Sequence, residues 1–228
     1  PMGWEYEGGQ IPWKWHGNPN LEYDGEFGRY NSGISRPWDD IAHDNPYLTI
    51  CASAGNDRSD SGTNGTHLHT NGLSYNDSHD PDGGQYGFDC IGYRGVCKNI
   101  FTIGAVNDVT QYTGPGSVNI SNFSSWGPTD DGRIKPDIVA NGVSLWSAGP
   151  SHDQHYQPMD GTSMSSPSAA GTLNLLLLHF QSLYGMDPLS TSLRGIVIHT
   201  ADECGNWDGP DYSYGWGLIN ALAAAQFM

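Results

Sequence analysis

Positive charge is scarce in this chain. Nine Lys and Arg stand against 25 Asp and Glu, a formal net charge of −16 over 228 residues. A phosphate binder needs a basic face, so nucleic acid is excluded as a partner. Charge of either sign is thin as well, 15% of residues against roughly 25% in an average soluble domain. Long apolar runs are lacking. The leucine run at 175–178 falls far short of the roughly 18 residues of a membrane span, and no membrane partner is expected. There are four cysteines and no Cys-x-x-Cys pair, which argues against a structural zinc site. No 12-residue EF-hand pattern occurs. The start, Pro1-Met2-Gly3-Trp4, is neither an initiator methionine nor a signal peptide and reads as an interior position of a longer precursor.

What is abundant is glycine, 31 residues, together with 8 Trp and 12 Tyr. At this length and with 36% hydrophobic residues, the chain can bury a real core, and one domain spanning 1–228 is expected. Few Lys and much Gly, Ser, Asn, Asp and Tyr point to an extracellular setting. Cys90 and Cys97 flank a six-residue segment with Gly92 and Gly95, a spacing compatible with a small disulfide loop. Cys51 sits in an apolar run and reads as a buried thiol, and Cys204 lies in a Gly/Asp-rich loop.

Residues 1–33 have no helical period. Trp4, Tyr6, Trp13, Trp15 and Tyr23 punctuate a long loop or irregular hairpin, either as packing or as an aromatic platform for substrate or sugar. Ser35-Arg36-Pro37-Trp38 opens a helix, with Ser35 as cap, Pro37 in the first turn and Asp39-Asp40 near the positive end; Pro46 stops it. Residues 48–54 read as a buried parallel strand bounded by Pro46 and Gly55. Residues 57–97 form a polar insertion. Further strands are expected at 99–106, 138–140 and 143–146, and helices at about 163–184, 192–201 and 218–227. Strands alternating with helices indicate an α/β layer fold.

Two stretches carry chemistry. Gly161-Thr162-Ser163-Met164-Ser165-Ser166-Pro167 delivers a serine to the start of a long buried helix, beside unpaired N–H groups and the positive dipole end. A serine there can attack a carbonyl while its own N–H stabilises the oxyanion. The alternative is that Ser163 merely caps the helix. Ser53-Ala54-Gly55-Asn56 ends a predicted parallel strand, where ligands of open α/β sheets bind. The Asn56 amide can donate to a developing oxyanion, or the pair Gly55-Asn56 can simply make a turn.

Together the two stretches resemble one family, the subtilisin-like serine proteases. The 161–167 segment is similar to that family's nucleophile motif, and 53–56 to its oxyanion-hole segment, in the right order. Asn122-Phe123-Ser124-Ser125-Trp126-Gly127-Pro128, Lys135-Pro136-Asp137-Ile138-Val139-Ala140 and Tyr214-Gly215-Trp216-Gly217-Leu218 fit in sequence. The resemblance covers most of 45–228, with 57–97 as its main departure. It implies a three-layer α/β fold with a central, mostly parallel sheet whose N-terminal portion is missing here. It implies a serine endopeptidase acting on polypeptides, with Ser163 as nucleophile. Asn56 and the Ser163 N–H would form the oxyanion hole, supported by the Thr162 hydroxyl. Ser53, Gly55 and Gly161 would line the primary side-chain pocket, and Gly3 would belong to the opposite wall.

The family's Asp and His precede the oxyanion asparagine. Here His16 and His43 are the histidines upstream of it, and neither lies in the family's setting. Asn64-Gly65-Thr66-His67 resembles the histidine motif but follows Asn56, so His67 is not expected to be catalytic. His152, His155 and His199 read as loop or packed helix residues. The partner this implies is the missing N-terminal part of the same catalytic domain, whose loss would bare apolar sheet edge and helix faces. No cofactor is required. Asp57, Asp60, Asp77, Asp80, Asp82 and Asp89 make the insertion acidic, either as a solvated loop or as oxygen ligands for a structural calcium ion. An inactive peptide-binding relative and an unrelated aromatic, acidic binding module are the rival readings.

Overall fold

A computed structural model describes residues 2–11, 13–16, 27–62, 65–69, 71–76, 81–83 and 86–228. Pro1, Tyr23, Asn64, Asp77 and Asp80, all named above, lie outside the described residues.

The centre is a parallel sheet in the order β3 (Cys51–Ser53), β6 (Phe101–Val106), β7 (Ile138–Asn141). Cys51 pairs with Phe101 and Ser53 with Ile103 on one side of β6, and Ile103 pairs with Ile138 on the other. All six residues of β6 are buried, as a central strand covered on both faces requires. Alternation divides them. Phe101 and Ile103, with Ile138 and Ala140, face one core, which holds Ala169, Leu173 and Leu176 of helix α2 (Thr162–Tyr184). Leu193 and Val197 of α3 (Ser190–His199) and Ala224 of α4 (Ala221–Phe227) complete it. Val106 and Val139 face a second core with Val118, Cys204 and Leu218. Each fully buried Leu or Val contributes about 1.5–3 kcal/mol. A left-handed Gly185 ends α2, as its glycine predicts.

The Lys135-Pro136-Asp137 segment stitches β6 to β7. Lys135 is buried and its Nζ donates to Asp137 Oδ2 at 2.6 Å, the Ile100 carbonyl and Thr102 Oγ1, both at 3.1 Å. The Thr102 N–H also donates to Asp137 Oδ2, at 2.6 Å. Burial lowers the Lys135 pKa, and the Asp137 carboxylate opposes that. Removing one partner of such a buried pair costs about 3–5 kcal/mol.

The N-terminal segment is a hairpin of β1 (Trp4–Tyr6) and β2 (Trp13–Trp15), extended by β4 (His67–His69) and β5 (Ser74–Tyr75) into a second sheet. The expected insertion 57–97 therefore supplies two strands to the hairpin. Trp4 and Trp15 are buried, so at those positions packing rather than a ligand platform accounts for the aromatics; Tyr6 is exposed. A third, two-stranded sheet pairs β8 (Leu145–Ala148) with β9 (Tyr156–Met159), of which β9 lacked a clear alternating pattern.

Helix α1 (Ser35–Asp44) lies where expected, but its start differs. Ser35 is its first residue, not its cap; it donates to the Tyr93 carbonyl at 2.8 Å. The turn is organised instead by Asn31 Oδ1, which accepts from the N–H groups of Gly33 and Ile34. Asp39 does not serve the helix end. It is buried and accepts the N–H groups of Lys98 and Asn99 at 3.0 and 2.7 Å. The disulfide loop that the spacing of Cys90 and Cys97 permits is not formed: all four cysteines are free thiols. Cys97 Sγ instead faces the Ser35 carbonyl at 3.3 Å, and Cys90 Sγ accepts the Trp126 N–H at 3.1 Å.

Strand β3 is the edge of the central sheet among the described residues. Apolar side chains stand in solvent: Ile41 of α1 is 47% exposed, Leu175 and Leu178 of α2 are 68% and 53%, and Leu48, beside that edge, is 45%. A cavity of about 260 Å³ opens there, walled by Leu48, Cys51, Leu173 and Leu177.

Candidate active site

The end of β3 and the start of α2 meet. Asn56 Oδ1 accepts both the backbone N–H and the hydroxyl of Thr162, each at 2.8 Å. The Gly55 N–H donates to Thr162 Oγ1 at 3.3 Å. With its oxygen so held, the Asn56 carboxamide presents its NH2 away from Thr162. Gly161 shows where that group points. A Cβ built on Gly161 would lie 3.4 Å from Asn56 Nδ2 and 3.6 Å from the Ser163 backbone nitrogen. Met164 Sδ stands 3.4 Å from the same point, so two nitrogens and a sulfur surround the position that Gly161, at φ +147°, leaves without a side chain.

The Asn56 loop is held from behind as well. The Ser125 N–H donates to the Gly55 carbonyl at 3.0 Å, and Ser125 Oγ accepts the Asp57 N–H at 3.3 Å. The 122–128 motif stood out in the sequence, but nothing local assigned Ser125 this clamp.

Ser163 is exposed at the second position of α2. The N-cap is Gly161, with no side-chain cap hydrogen bond, so Ser163 does not cap the helix. It lines a cavity of about 320 Å³ with Ser53, Trp38, Arg94 and Pro167. Ser53 and Gly55 also line an adjoining cavity of about 490 Å³, with Met2, Gly92, Arg94 and Gly95 across from them. Met2 is the neighbour of Gly3, the residue expected in the opposite wall. Gly161 does not line this second cavity; its Cα faces the Asn56 and Ser163 donors instead. Arg94, common to both cavities, carried no sequence signal beyond lying between two cysteines.

Among the described residues, no histidine lines the cavity at Ser163. His16 sits at the end of β2 against Glu5, at 2.8 Å. His43 is exposed in the last turn of α1, and the exposed His199 rests on Phe227. His152 and His155 lie in the β8–β9 hairpin loop, 5.5 Å apart between ring centroids. His67 is fully buried on β4.

Just beyond Asn56, Asp57, Asp60 and Asp82 each offer an oxygen, and these atoms lie within 4.8 Å of one another. Burial pushes the Asp57 carboxyl above the usual carboxylate range, partly offset by the Asn56 and Asp57 N–H groups and the Ser125 hydroxyl. Asp60 is raised by burial and by Asp57. Asp82 is buried and takes the Trp4 N–H on both oxygens, at 2.8 and 3.0 Å.

Comparison with known proteins bears on this arrangement. The chain is 45% identical over 65 residues to C5a peptidase of Streptococcus pyogenes, 28% of this chain and 5% of that protein. It is 32% identical over 136 residues to subtilisin DY of Bacillus licheniformis, 60% of this chain and 40% of that protein. It therefore spans well under half the length of these relatives. The solved structure of the patellamide maturation protease PatA superposes with a TM-score of 0.59 at 21% identity, over 88% of this chain and 58% of that one. The prenylagaramide maturation protease PagA gives 0.58 at 19%, over 88% and 57%. At these identities the two structures speak for the α/β fold alone. The family model described as the subtilase family matches residues 14–217, and the chain belongs to that family.

Proposed function

We propose that this chain is the nucleophile-bearing part of a serine endopeptidase of the subtilisin type. The observation that carries this reading is the pair of donors, Asn56 Nδ2 and the Ser163 N–H, flanking one space beside Gly161. In this reading Ser163 Oγ attacks a peptide carbonyl, and the carbonyl oxygen becomes an oxyanion between those donors. Collapse of the tetrahedral species expels the amine and leaves an acyl-enzyme on Ser163, which water hydrolyses through a second oxyanion. Thr162 fixes the Asn56 amide so that its NH2, not its oxygen, faces the charge. Ser53 and Gly55 line the side-chain pocket; Gly161 keeps the oxyanion space open. Arg94, lining both cavities, favours an acidic side chain in the peptide.

Among the described residues, no histidine base stands in the cavity at Ser163. A serine at its ordinary pKa is a weak nucleophile. We place the Asp and His of the triad in a preceding N-terminal part of the same catalytic domain. That part adds strands beside β3 and covers Leu48 and the cavity it shares with Cys51. Residues 1–228 alone would then turn over protein negligibly, with only the ~10³–10⁴ acceleration that oxyanion hole and binding give without a triad. The chemistry needs no cofactor. Calcium enters only as a structural ion at Asp57, Asp60 and Asp82, and an unchanged melt in EDTA would remove it. The composition supports an extracellular setting, to which the four unpaired thiols add nothing; no helix among the described residues is long and apolar enough to cross a membrane.

A second reading, an inactive peptide-binding relative, draws on the absence of histidine among the described residues that line the Ser163 cavity. Casein turnover by the full-length source protein separates the two. The endopeptidase reading expects turnover that Ser163→Ala abolishes. No turnover, with the upstream Asp and His sequenced and present, favours the inactive relative.

A further inference from the structure

A cavity of about 610 Å³ lies apart from those beside Ser163 and shares no lining residue with them. Its size is that of a small-ligand site, roughly 300–1,000 Å³. Five aromatic side chains wall it: Phe88, Trp126, Trp207, Tyr212 and Tyr214. Phe88 lies 5.3 Å from Trp126 at 53° and 6.4 Å from Tyr212 at 82°, so these rings meet as a corner and not as a flat stack. Trp207 is 76% exposed. The walls are set before any ligand arrives. The Tyr214 hydroxyl accepts the Ile120 N–H at 3.3 Å and donates to the Val118 carbonyl at 3.2 Å. Asp211 Oδ1 accepts the N–H groups of Ser213 and Tyr214 at 2.6 and 2.7 Å. Arg58, which does not line the cavity, lies over the Trp126 ring at 3.7 Å and donates to the Asn122 carbonyl at 2.8 Å. Such preorganisation favours binding.

Polar groups of the lining are left over. The Trp126 indole N–H is buried and has no hydrogen-bond partner. Among the described residues nothing bonds Asp211 Oδ2. These groups and the charge pattern narrow the ligand. No Lys, Arg or His lines the cavity, Asp211 does, and the chain carries −16, so an anion is repelled. Aromatic walls beside a carboxylate suit an alkylammonium ion. But the Trp126 ring already carries the Arg58 guanidinium, and an ammonium offers no acceptor to the buried indole N–H. A purely apolar ligand would leave that N–H unpaired and strip water from Asp211 Oδ2. The lining residues all lie outside the helices and strands, so the cavity has no strand edge or helix groove for an extended or helical peptide. A neutral ring with apolar C–H faces and a rim of hydroxyls meets every condition. Its C–H groups meet the negative faces of the aromatic rings, and its hydroxyls accept from Trp126 Nε1 and donate to Asp211 Oδ2.

We propose that this cavity is a binding site for a neutral saccharide. One pyranose ring sits in the corner of Phe88, Trp126 and Tyr212, and the next sugar lies against the exposed Trp207. No bond is made or broken there; the site anchors. Because it shares no wall with the cavities beside Ser163, a glycan held here leaves Ser53, Gly55 and Ser163 open. The site stands independently of the protease reading. The same sugar chemistry is offered by a polysaccharide and by the glycan of a glycoprotein.

The test is calorimetric titration of the full-length source protein with cellotriose, maltotriose and triacetylchitotriose. At least one is expected to bind with saturation below about 10 mM. Trp207→Ala, at an exposed position, should weaken binding ~10-fold. Trp126→Phe keeps a ring but loses the N–H, and Asp211→Asn exchanges the carboxylate for an amide; each should weaken binding by a similar factor. Asn56→Ala should leave it intact. Saturation-transfer NMR on the unaltered protein keeps the test independent of whether the variants fold: saturating the aromatic protons should mark the C–H groups of one sugar ring. Retention on insoluble cellulose, starch or chitin identifies a polysaccharide as the source. Retention on a glycoprotein column that deglycosylation abolishes identifies a protein-borne glycan. No binding of any of the three sugars, displacement of bound sugar by choline or by a proline-rich peptide, or undiminished binding in the folded Trp207→Ala, Asp211→Asn double variant overturns the site.

Discussion

Asn56 and Thr162 are joined twice: the carboxamide oxygen takes the Thr162 N–H and the Thr162 hydroxyl, both at 2.8 Å. One residue lies in the loop just past β3 and the other starts α2, 106 positions later. The contact orients an amide whose two ends have opposite uses. If the oxygen faced the space beside Gly161 it would repel an oxyanion; held on Thr162, it leaves the NH2 to donate.

This orientation separates two variants. In the complete enzyme, Asn56→Ala removes the donor and should lower kcat by about 10²–10³ with little change in KM. Thr162→Val keeps the donor but loses the hydroxyl that aims it, and a smaller fall of roughly tenfold is expected. Steady-state kinetics on a peptide anilide checks both. Equal effects from the two would contradict the aiming role.

Gly161 should resist substitution for a local reason. Its φ of +147° strains any residue with a Cβ, and that Cβ would stand 3.4 Å from Asn56 Nδ2. Gly161→Ala is expected to cost about 1–3 kcal/mol of stability and to narrow the space where the carbonyl oxygen would sit. Thermal melts and acylation rates measured on the same sample check it; a variant with unchanged melt and unchanged acylation would refute it.

The four thiols should be countable and slow. Burial pushes Cys90 and Cys204 up to about 12, and Cys51 and Cys97 up to about 11. At pH 8 almost no thiolate is present, so a disulfide reagent such as DTNB should react sluggishly with the native chain. In denaturant four thiols should react at once. Two instead of four would restore the Cys90–Cys97 disulfide.

Asp57 gives a pH dependence with a definite sign. Its folded pKa lies above its unfolded value, chiefly through burial. The associated stability is fully present below the unfolded pKa, near 3.9, and is lost as pH rises through the folded pKa. Asp57→Asn removes that loss. Its melting point should therefore gain on the parent at neutral pH, in EDTA, and the gain should shrink as the pH falls into the acid range. A gain that grows on acidification would show that the carboxylate, not burial, dominates.

How much of this was legible beforehand differs from element to element. The α2 helix, β6 and the 161–167 turn were readable because their patterns are local: a glycine stop, a continuous apolar strand, a small-residue turn before a long apolar helix. The meeting of Asn56 with Thr162 was legible only by resemblance, since no local pattern spans 106 residues. The start of α1 misled, because Ser35 and Asp39 have the chemistry of a cap and a first-turn acid while tertiary partners at Tyr93, Lys98 and Asn99 claim them. Cys90 and Cys97 misled likewise: their spacing permits a bridge, and separate burial against Trp126 and Ser35 decides otherwise. Arg94 and Ser125 were invisible as site residues because a loop's contribution to a cavity or a clamp leaves no periodic trace. His67 was visible only as a displaced copy of a catalytic motif, and its contact with His69, Nε2 to Nε2 at 3.2 Å, needed the strand's register.

The most direct measurement is a fluorophosphonate adduct mapped by peptide mass in the full-length source protein. The account predicts one adduct, on Ser163, abolished by Ser163→Ala and slowed by Asn56→Ala. An adduct on another residue, or none with the upstream Asp and His in place, would contradict it.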